Sequence, residues 1–402
     1  MTIRERVFAI LAGRKPDRLP FIDRLDVWYA CHRRGGTIPE EFKGMSLTDI
    51  HQAVGLGQQR YLVPYALKLR GVEVISRFNG EEVYHEQDPV IEFFCGVFGP
   101  VDYERPGITV NELRTPVGRL RVCYELLQEN VATGTEPYLK EHLIKEESDY
   151  RTVEYILERA EYVAQHEKVR QEAKRIGGAG FVIPMTHRIP FQQLLLEYLG
   201  EVPLFYALHD QPRQVERLMA LLDEQLVDIL HRLGALEAVF VEFPDNLHGL
   251  ITNPRLFAKY CLPAYQRYSE ILHAQGKKTG SHTDGNVKPL LGLLAESGLD
   301  VCESFSPAPL TECTFDEAWH AWRGGPLIWG GIPSPILEER TSEEEFQAYI
   351  EHLLEVVGDQ PIILGVGDMV MGHNSIERVR YIARRVEEHD LGRQSGLGRV
   401  PA

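Results

Sequence analysis

The chain has 402 residues, of which 44% are hydrophobic and 25% charged; 43 Lys and Arg face 59 Asp and Glu, a formal net charge of −16. This composition excludes wholesale disorder and leaves ample apolar material for a core. The acidity argues against general binding to nucleic acid or to an anionic membrane surface.

No apolar run reaches the roughly 18 residues that a transmembrane helix needs. The N-terminal MTIRERVFAILAGRKPDR is interrupted by charges and lacks the apolar core and small-residue cleavage site of a signal peptide. Six cysteines, at 31, 95, 123, 261, 302 and 313, form no CxxC pair and fit reduced thiols. A soluble cytoplasmic protein is the expectation.

In chain order, residues 2–12 read as a short helix with Val7, Ile10 and Leu11 on one face, ended by Pro16 and Pro20. A strand at 19–22 then runs into a polar loop with Asp23, Arg24 and Asp26. A helix follows at 46–53, and one more strand falls somewhere in 58–78. From about 72 to 145 the pattern is that of antiparallel hairpins, with turn chemistry at Thr115-Pro116-Val117-Gly118. A long helix is predicted over 152–175.

From 178 onward short apolar runs alternate with helical stretches. The runs fall at 180–185, 238–243, 277–282, 299–303, 327–330 and 361–365. The helices fall at about 190–199, 203–209, 212–233, 254–275, 287–297, 314–322, 342–356 and 374–388. Such alternation argues for a parallel sheet. With the two earlier strands it makes eight units, the number that closes a (β/α)8 barrel of TIM type. The predicted fold class is therefore α/β: a single barrel over 1–390, with an N-terminal helical segment, an antiparallel hairpin insertion and a flexible tail at 391–402.

In such a barrel the active site forms at the strand carboxyl ends. The residues delivered there are Asp23, Arg24 and Asp26; Thr186, His187 and Arg188; Glu242, Asp245, Asn246 and His248; His282 and Asp284; Glu303; and Asp368. The run at 327–330 delivers Gly330 and Gly331, which let a ligand or backbone come close. His282 and Asp284, two apart on a strand-to-helix turn, can point at one centre. With Glu303 and Asp368 they make one imidazole and three carboxylates, donors for Zn²⁺ or a harder Mn²⁺ or Fe²⁺. Equally, Asp284 can cap the following helix and His282 can be a satisfied buried imidazole. Glu242 and Asp245 can act as a general acid/base pair or hold a cationic group. Beside Phe240 and Phe243, a buried Glu242 would have a raised pKa.

Several segments carry a resemblance to a known family: RERVFAILAGRKPDRLPF, TPVGRL, EESDYRTVEYILE, FPDNLHGLITNPRLFAKYCLPAY, HAQGKKTGSHTDGN and ILGVGDMVMGHNSIERVR. In this order and spacing the chain resembles the uroporphyrinogen decarboxylase superfamily, in its methylcobamide:coenzyme M methyltransferase-like branch. The resemblance implies a distorted (β/α)8 barrel. The decarboxylases use an N-terminal arginine motif of the type RQAGR, and the stretch Ile22–Trp28 here lacks it. The methyltransferases, and the similar cobalamin-independent methionine synthases, bind zinc through a His-x-Cys pair, a later Cys and, in the synthases, a Glu. Those positions fall on His282, Asp284, Asp368 and Glu303, so carboxylates stand where the family has thiolates.

The function that follows is a metal-dependent methyltransferase. It would act on a small methylated substrate with a corrinoid carried by a partner protein, or a folate-type acceptor. The metal, zinc first and otherwise manganese or iron, would lie on His282, Asp284, Glu303 and Asp368. Glu242, Asp245 and His187 would do the catalytic work, and Arg24, Asp26, Arg188, Asn246 and Trp329 would bind substrate. The alternative is a metal-free decarboxylase or lyase acting on a substrate other than uroporphyrinogen. The resemblance also suggests a homodimer.

Overall fold

The computed structural model describes residues 1–92 and 98–396. Cys95 and residues 397–402 of the expected tail lie outside the described residues. The last helix, Ile376–Gly396, continues past residue 390.

Eight strands run parallel to their neighbours: β1 (Ile22–Asp23), β2 (Gly57–Leu62), β3 (Gly180–Pro184), β4 (Phe240–Phe243), β5 (Lys278–His282), β6 (Val301–Phe305), β7 (Leu327–Pro333) and β8 (Ile363–Gly367). One sheet has the order β1-β2-β3 and the other the order β4-β5-β6-β7-β8. Single parallel bridges, Phe21–Leu364 and Met185–Glu242, join the two sheets at both of their ends. Strands β3, β4, β6 and β8 are buried at every residue. That is why they read as continuous apolar runs and not as alternating ones.

The first helix, Ile3–Leu11, is started by a capping box in which Thr2 and Glu5 satisfy each other's backbone N–H. Its Val7, Ile10 and Leu11 pack with Ile22, Phe181, Phe240, Val301, Trp329 and Ile363. This apolar plug sits between the strands, below the polar residues of their carboxyl ends.

Five strands between residues 73 and 141 form an antiparallel sheet. Its strands are Glu73–Phe78, Glu81–Gln87, Gly107–Thr115, Gly118–Leu126 and Tyr138–Glu141. The Thr115–Gly118 turn is closed by the Thr115 hydroxyl, which accepts from the backbone N–H of Val117 and Gly118. Leu113, Leu120 and Val122 from this sheet belong to the same core as Val182, Val241 and Cys302 of the parallel strands, apart from the plug. No described helix is long and apolar enough to cross a membrane.

Three predicted elements differ. The long helix over 152–175 is two helices, Glu147–Leu157 and His166–Ile176. Between them the strand Ala160–Ala164 pairs antiparallel with Tyr65–Leu69. The gain of a sheet partner outweighs the helical spacing of its apolar residues. The predicted helix at 254–275 is interrupted by a wide turn over Phe257–Cys261, where Pro263 cannot donate to the ladder. The first strand occupies Ile22–Asp23 and not 19–22, because Pro20 has no N–H to pair.

His51, on the helix Leu47–Val54, is buried beside the Leu56 carbonyl, 3.3 Å from its Nδ1. Burial pushes its pKa down from 6.5 to about 4. The folded state then resists a proton that the unfolded state accepts, so stability falls as pH drops from about 6.5 to about 4. Denaturant unfolding of wild type and His51→Leu should show their difference in stability shrinking across that window, by up to roughly 3 kcal/mol. A difference that stays constant with pH would show that His51 titrates alike in both states.

Candidate active site

The carboxyl ends of the parallel strands open into a cavity of about 780 Å³ lined by, among others, Arg24, Tyr61, Arg188, Asn246, His282 and Asp368. Strand register explains its floor. His282 closes β5 and stands opposite Glu303 on β6, while Glu242 on β4 pairs with Gly280. A Cβ at Gly280 would lie 2.5 Å from the Phe240 ring, so only glycine lets these strands pack. At Gly330 the backbone has φ +132°, and a Cβ would meet the Phe305 carbonyl oxygen at 2.6 Å.

His282 is the hub. Its Nδ1 donates to Glu303 Oε2 at 2.6 Å. On the other side its Nε2 lies 3.4 Å from Asp368 Oδ1 and 3.8 Å from Asp284 Oδ2. Glu303 is held in turn at Oε1 by Gln59 Nε2 and the Tyr61 hydroxyl, each at 2.7 Å. Glu242, fully buried, reaches 3.8 Å from His282 Nδ1, and neither of its carboxylate oxygens finds a hydrogen-bond partner.

The charges sort themselves accordingly. Burial works against a charge on His282, but Asp284, Glu303 and Asp368 override it and hold its pKa well above the ordinary value. Burial also raises Glu303, yet His282 and the donors on its oxygens bring it below the usual range. Glu242 is pushed well above by burial and by the charge of Glu303. Two adjacent carboxylates cannot both ionise there, so Glu242 carries the proton.

The predicted residues divide into four groups. His282, Asp284 and Asp368 come together, with one donor atom each within 4.8 Å of one another. Glu303 does not join them on that centre: it lies on the opposite imidazole nitrogen, in a second group with Glu242 and His282. The four residues expected around one point thus fall into two groups that share His282, with Glu303 behind the imidazole. Arg24, Asp26, Arg188 and Asn246 line the cavity. Arg24 reaches Asp368 at 3.1 Å and lies over the Tyr61 ring at 4.6 Å; Asp26 pairs with Arg60 at 3.3 Å.

The remaining three sit elsewhere. Trp329 is packed in the apolar plug against Phe181 and Phe240, because its strand turns it inward below the mouth. His187 is buried edge-on against Tyr65, and burial lowers its pKa to about 4. Asp245 is fully buried and accepts from the Ile189 N–H and from the Tyr265 and Ser281 hydroxyls, which makes it a tie between loops. Burial raises its pKa to about 6.

Sequence reasoning passed over Tyr61 and Gln59. Their signal is the polar run Gln58-Gln59-Arg60-Tyr61 inside a strand whose two glutamines are only 3% exposed. It also treated Asp23 as a loop residue. Asp23 accepts from the Arg24 N–H at 2.6 Å and from the Val366 N–H, and so ties β1 to β8.

No curated protein matches this chain in sequence. In overall structure it is similar to a methyltransferase from Methanosarcina mazei at 15% identity, with a TM-score of 0.55, covering 96% of this chain and 99% of that one. It also aligns with a Bacteroidetes-affiliated cellulase at 13% identity and a TM-score of 0.37, over 57% of this chain and 76% of that one. Residues 202–389 match the family model for uroporphyrinogen decarboxylase (URO-D), a span that carries His282, Asp284, Glu303 and Asp368. Residues 202–389, a little under half of the chain, are thus similar to the uroporphyrinogen decarboxylase family.

Proposed function

We propose that this protein is a metal-dependent methyltransferase of the methylcobamide:coenzyme M methyltransferase-like branch. It would move a methyl group from a small methylated substrate to a corrinoid on a partner protein or to a folate-type acceptor. The joined parallel sheets would form the closed (β/α)8 barrel of that branch. The observation that carries the reading is the fixed His282: Glu303 occupies Nδ1, so Nε2 faces Asp284 and Asp368 at the cavity floor. The fold likeness to a methyltransferase supports it.

The donors suit a divalent metal. Asp284 Oδ1 is buried and has no hydrogen-bond partner. An imidazole and two carboxylates would hold zinc, manganese or iron, with less softness than a thiolate set. Held by His282, Asp284 and Asp368, such a metal would supply Lewis acidity to the substrate heteroatom.

The chain's own residues supply the rest. Glu303 fixes the tautomer and tilt of His282, as carboxylates behind ligating imidazoles do. Glu242 keeps a proton beside Glu303, so one negative charge and not two lies under the imidazole. Arg24 neutralises part of the carboxylate charge at Asp368. The methyl group leaves the heteroatom without its bonding electrons, and the heteroatom keeps the pair and takes up a proton.

One observation favours a second reading. Arg24 and a protonated His282 lie on either side of Asp368. Without metal, the same pair can hold a substrate carboxylate for decarboxylation.

Elemental analysis of chelator-washed, reloaded protein should find about one divalent ion per chain, lost in His282→Ala and in Asp368→Ala. Glu303→Gln should keep the ion but bind it about 10- to 100-fold more weakly. A wild type that takes up no metal would reject the metal reading in favour of the carboxylate-binding pair.

Activity separates the same two readings. With reduced cobalamin as acceptor, a panel of methylated alcohols, amines and aromatic ethers should include at least one donor whose demethylation is visible as methylcobalamin absorbance. His282→Ala should lower that rate by roughly 100-fold or more. Release of carbon dioxide from an acid, with no methyl transfer from any donor, would establish the lyase instead.

A further inference from the structure

Asp284 is oriented from one side only. Its Oδ2 accepts from Asn246 Nδ2 at 2.9 Å, while Oδ1 is buried with no hydrogen-bond partner. Asn246 is itself anchored. Its Oδ1 accepts from Arg188 Nη1 at 2.7 Å, and Arg188 Nε donates to the buried Glu197 at 2.9 Å. Arg188 also donates to the Pro244 carbonyl. A chain of four side chains, Glu197–Arg188–Asn246–Asp284, thus runs from the buried face of the helical turn after β3 to the cavity floor.

The backbone holds this chain in place. Asn246 has φ +48°, the left-handed region that asparagine tolerates better than most residues. That conformation turns its amide toward the β5 loop. The two loops are joined on either side of the contact, by Leu247 N–H to the His282 carbonyl at 3.3 Å and Gly249 N–H to the Asn286 carbonyl at 2.8 Å. Between them, a Cβ at Gly285 would lie 2.4 Å from the Leu247 carbonyl oxygen, so only glycine permits this approach. Asn246 has little room to leave Asp284. Its carbonyl and one amide hydrogen are engaged within the protein, which leaves it poorly placed as a substrate-binding group.

We propose that Asn246 is a positioning residue: it holds Asp284 Oδ2, the oxygen 3.8 Å from His282 Nε2, and thereby fixes which oxygen of Asp284 faces the space shared with His282 Nε2 and Asp368. The Arg188–Glu197 ion pair is its anchor. Asp284 then offers a single oxygen to a metal, where a carboxylate free to rotate would offer either or both. This rests on the metal reading above, but the orientation of Asp284 can be observed without any metal.

The test is a pair of high-resolution crystal structures, wild type and Asn246→Gly, each metal-free and after soaking in Co²⁺, with Co²⁺ titrated in solution by visible absorption. Glycine keeps the left-handed backbone and deletes the amide. The Asp284 side chain should rotate or occupy two orientations in the variant, with Tm unchanged, and Co²⁺ affinity should fall about 10- to 100-fold with an altered visible spectrum. Asn246→Asp, which keeps the size and the Arg188 contact but cannot donate to Asp284, should do the same if the glycine variant folds poorly. Asp284 in its wild-type orientation in the variants would overturn the proposal. A wild type that binds no Co²⁺ would reject the metal reading alone, because the metal-free structures still decide whether Asn246 orients Asp284.

Discussion

The hydrogen bond between His282 Nδ1 and Glu303 Oε2 governs this molecule's chemistry. It decides which imidazole nitrogen faces the cavity, and through that choice it separates the acidic residues into two populations. Glu242 and Glu303 lie beneath the imidazole in the buried layer, whereas Asp284 and Asp368 face the open side. The bond exists because β5 and β6 pair in a register that sets His282 opposite Glu303. A shift of one residue between those strands would put the two side chains on opposite faces of the sheet.

Around this axis the protein distributes charge so that no carboxylate is left buried and alone. Glu303 has three donors, Asp245 has three, and Asp23 has two backbone N–H groups. Glu242 has none, and remains protonated beside Glu303. Arg24 and Arg188 bring positive charge to an acidic mouth, and each is aimed by a carboxylate partner, Asp368 and Glu197. Buried ionised groups are tolerated only when compensated in this way.

The parts of the fold legible in the sequence were those where burial on both sides makes a continuous apolar run: β3, β4, β6 and β8 stand where such runs are found. β2 was only bracketed within 58–78, because Gln59 and Tyr61 serve Glu303, and a strand doing polar work from the inside carries a weak strand pattern. The strand at Ala160–Ala164 was hidden because its partner lies almost a hundred residues earlier. In the site, His282, Asp284 and Asp368 were legible as strand-end residues on one rim. The place of Glu303 was not, since it depends on register between strands. The burial of Asp245 and Trp329 was hidden for a related reason: the direction of a side chain at a strand end is settled by tertiary packing.

The tie between Asp23 and the backbone of Val366 spans 343 residues. Synthesis delivers the first of these long before the second. Until the last strand emerges from the ribosome, the β1 edge that it covers has no partner, and the apolar helix Ile3–Leu11 beside it waits for residues as distant as Ile363. Contacts of such separation slow folding and leave strand edges exposed to wrong pairings in the meantime. The brevity of β1, two residues with Pro20 just before it, makes that waiting edge a poor template for another chain.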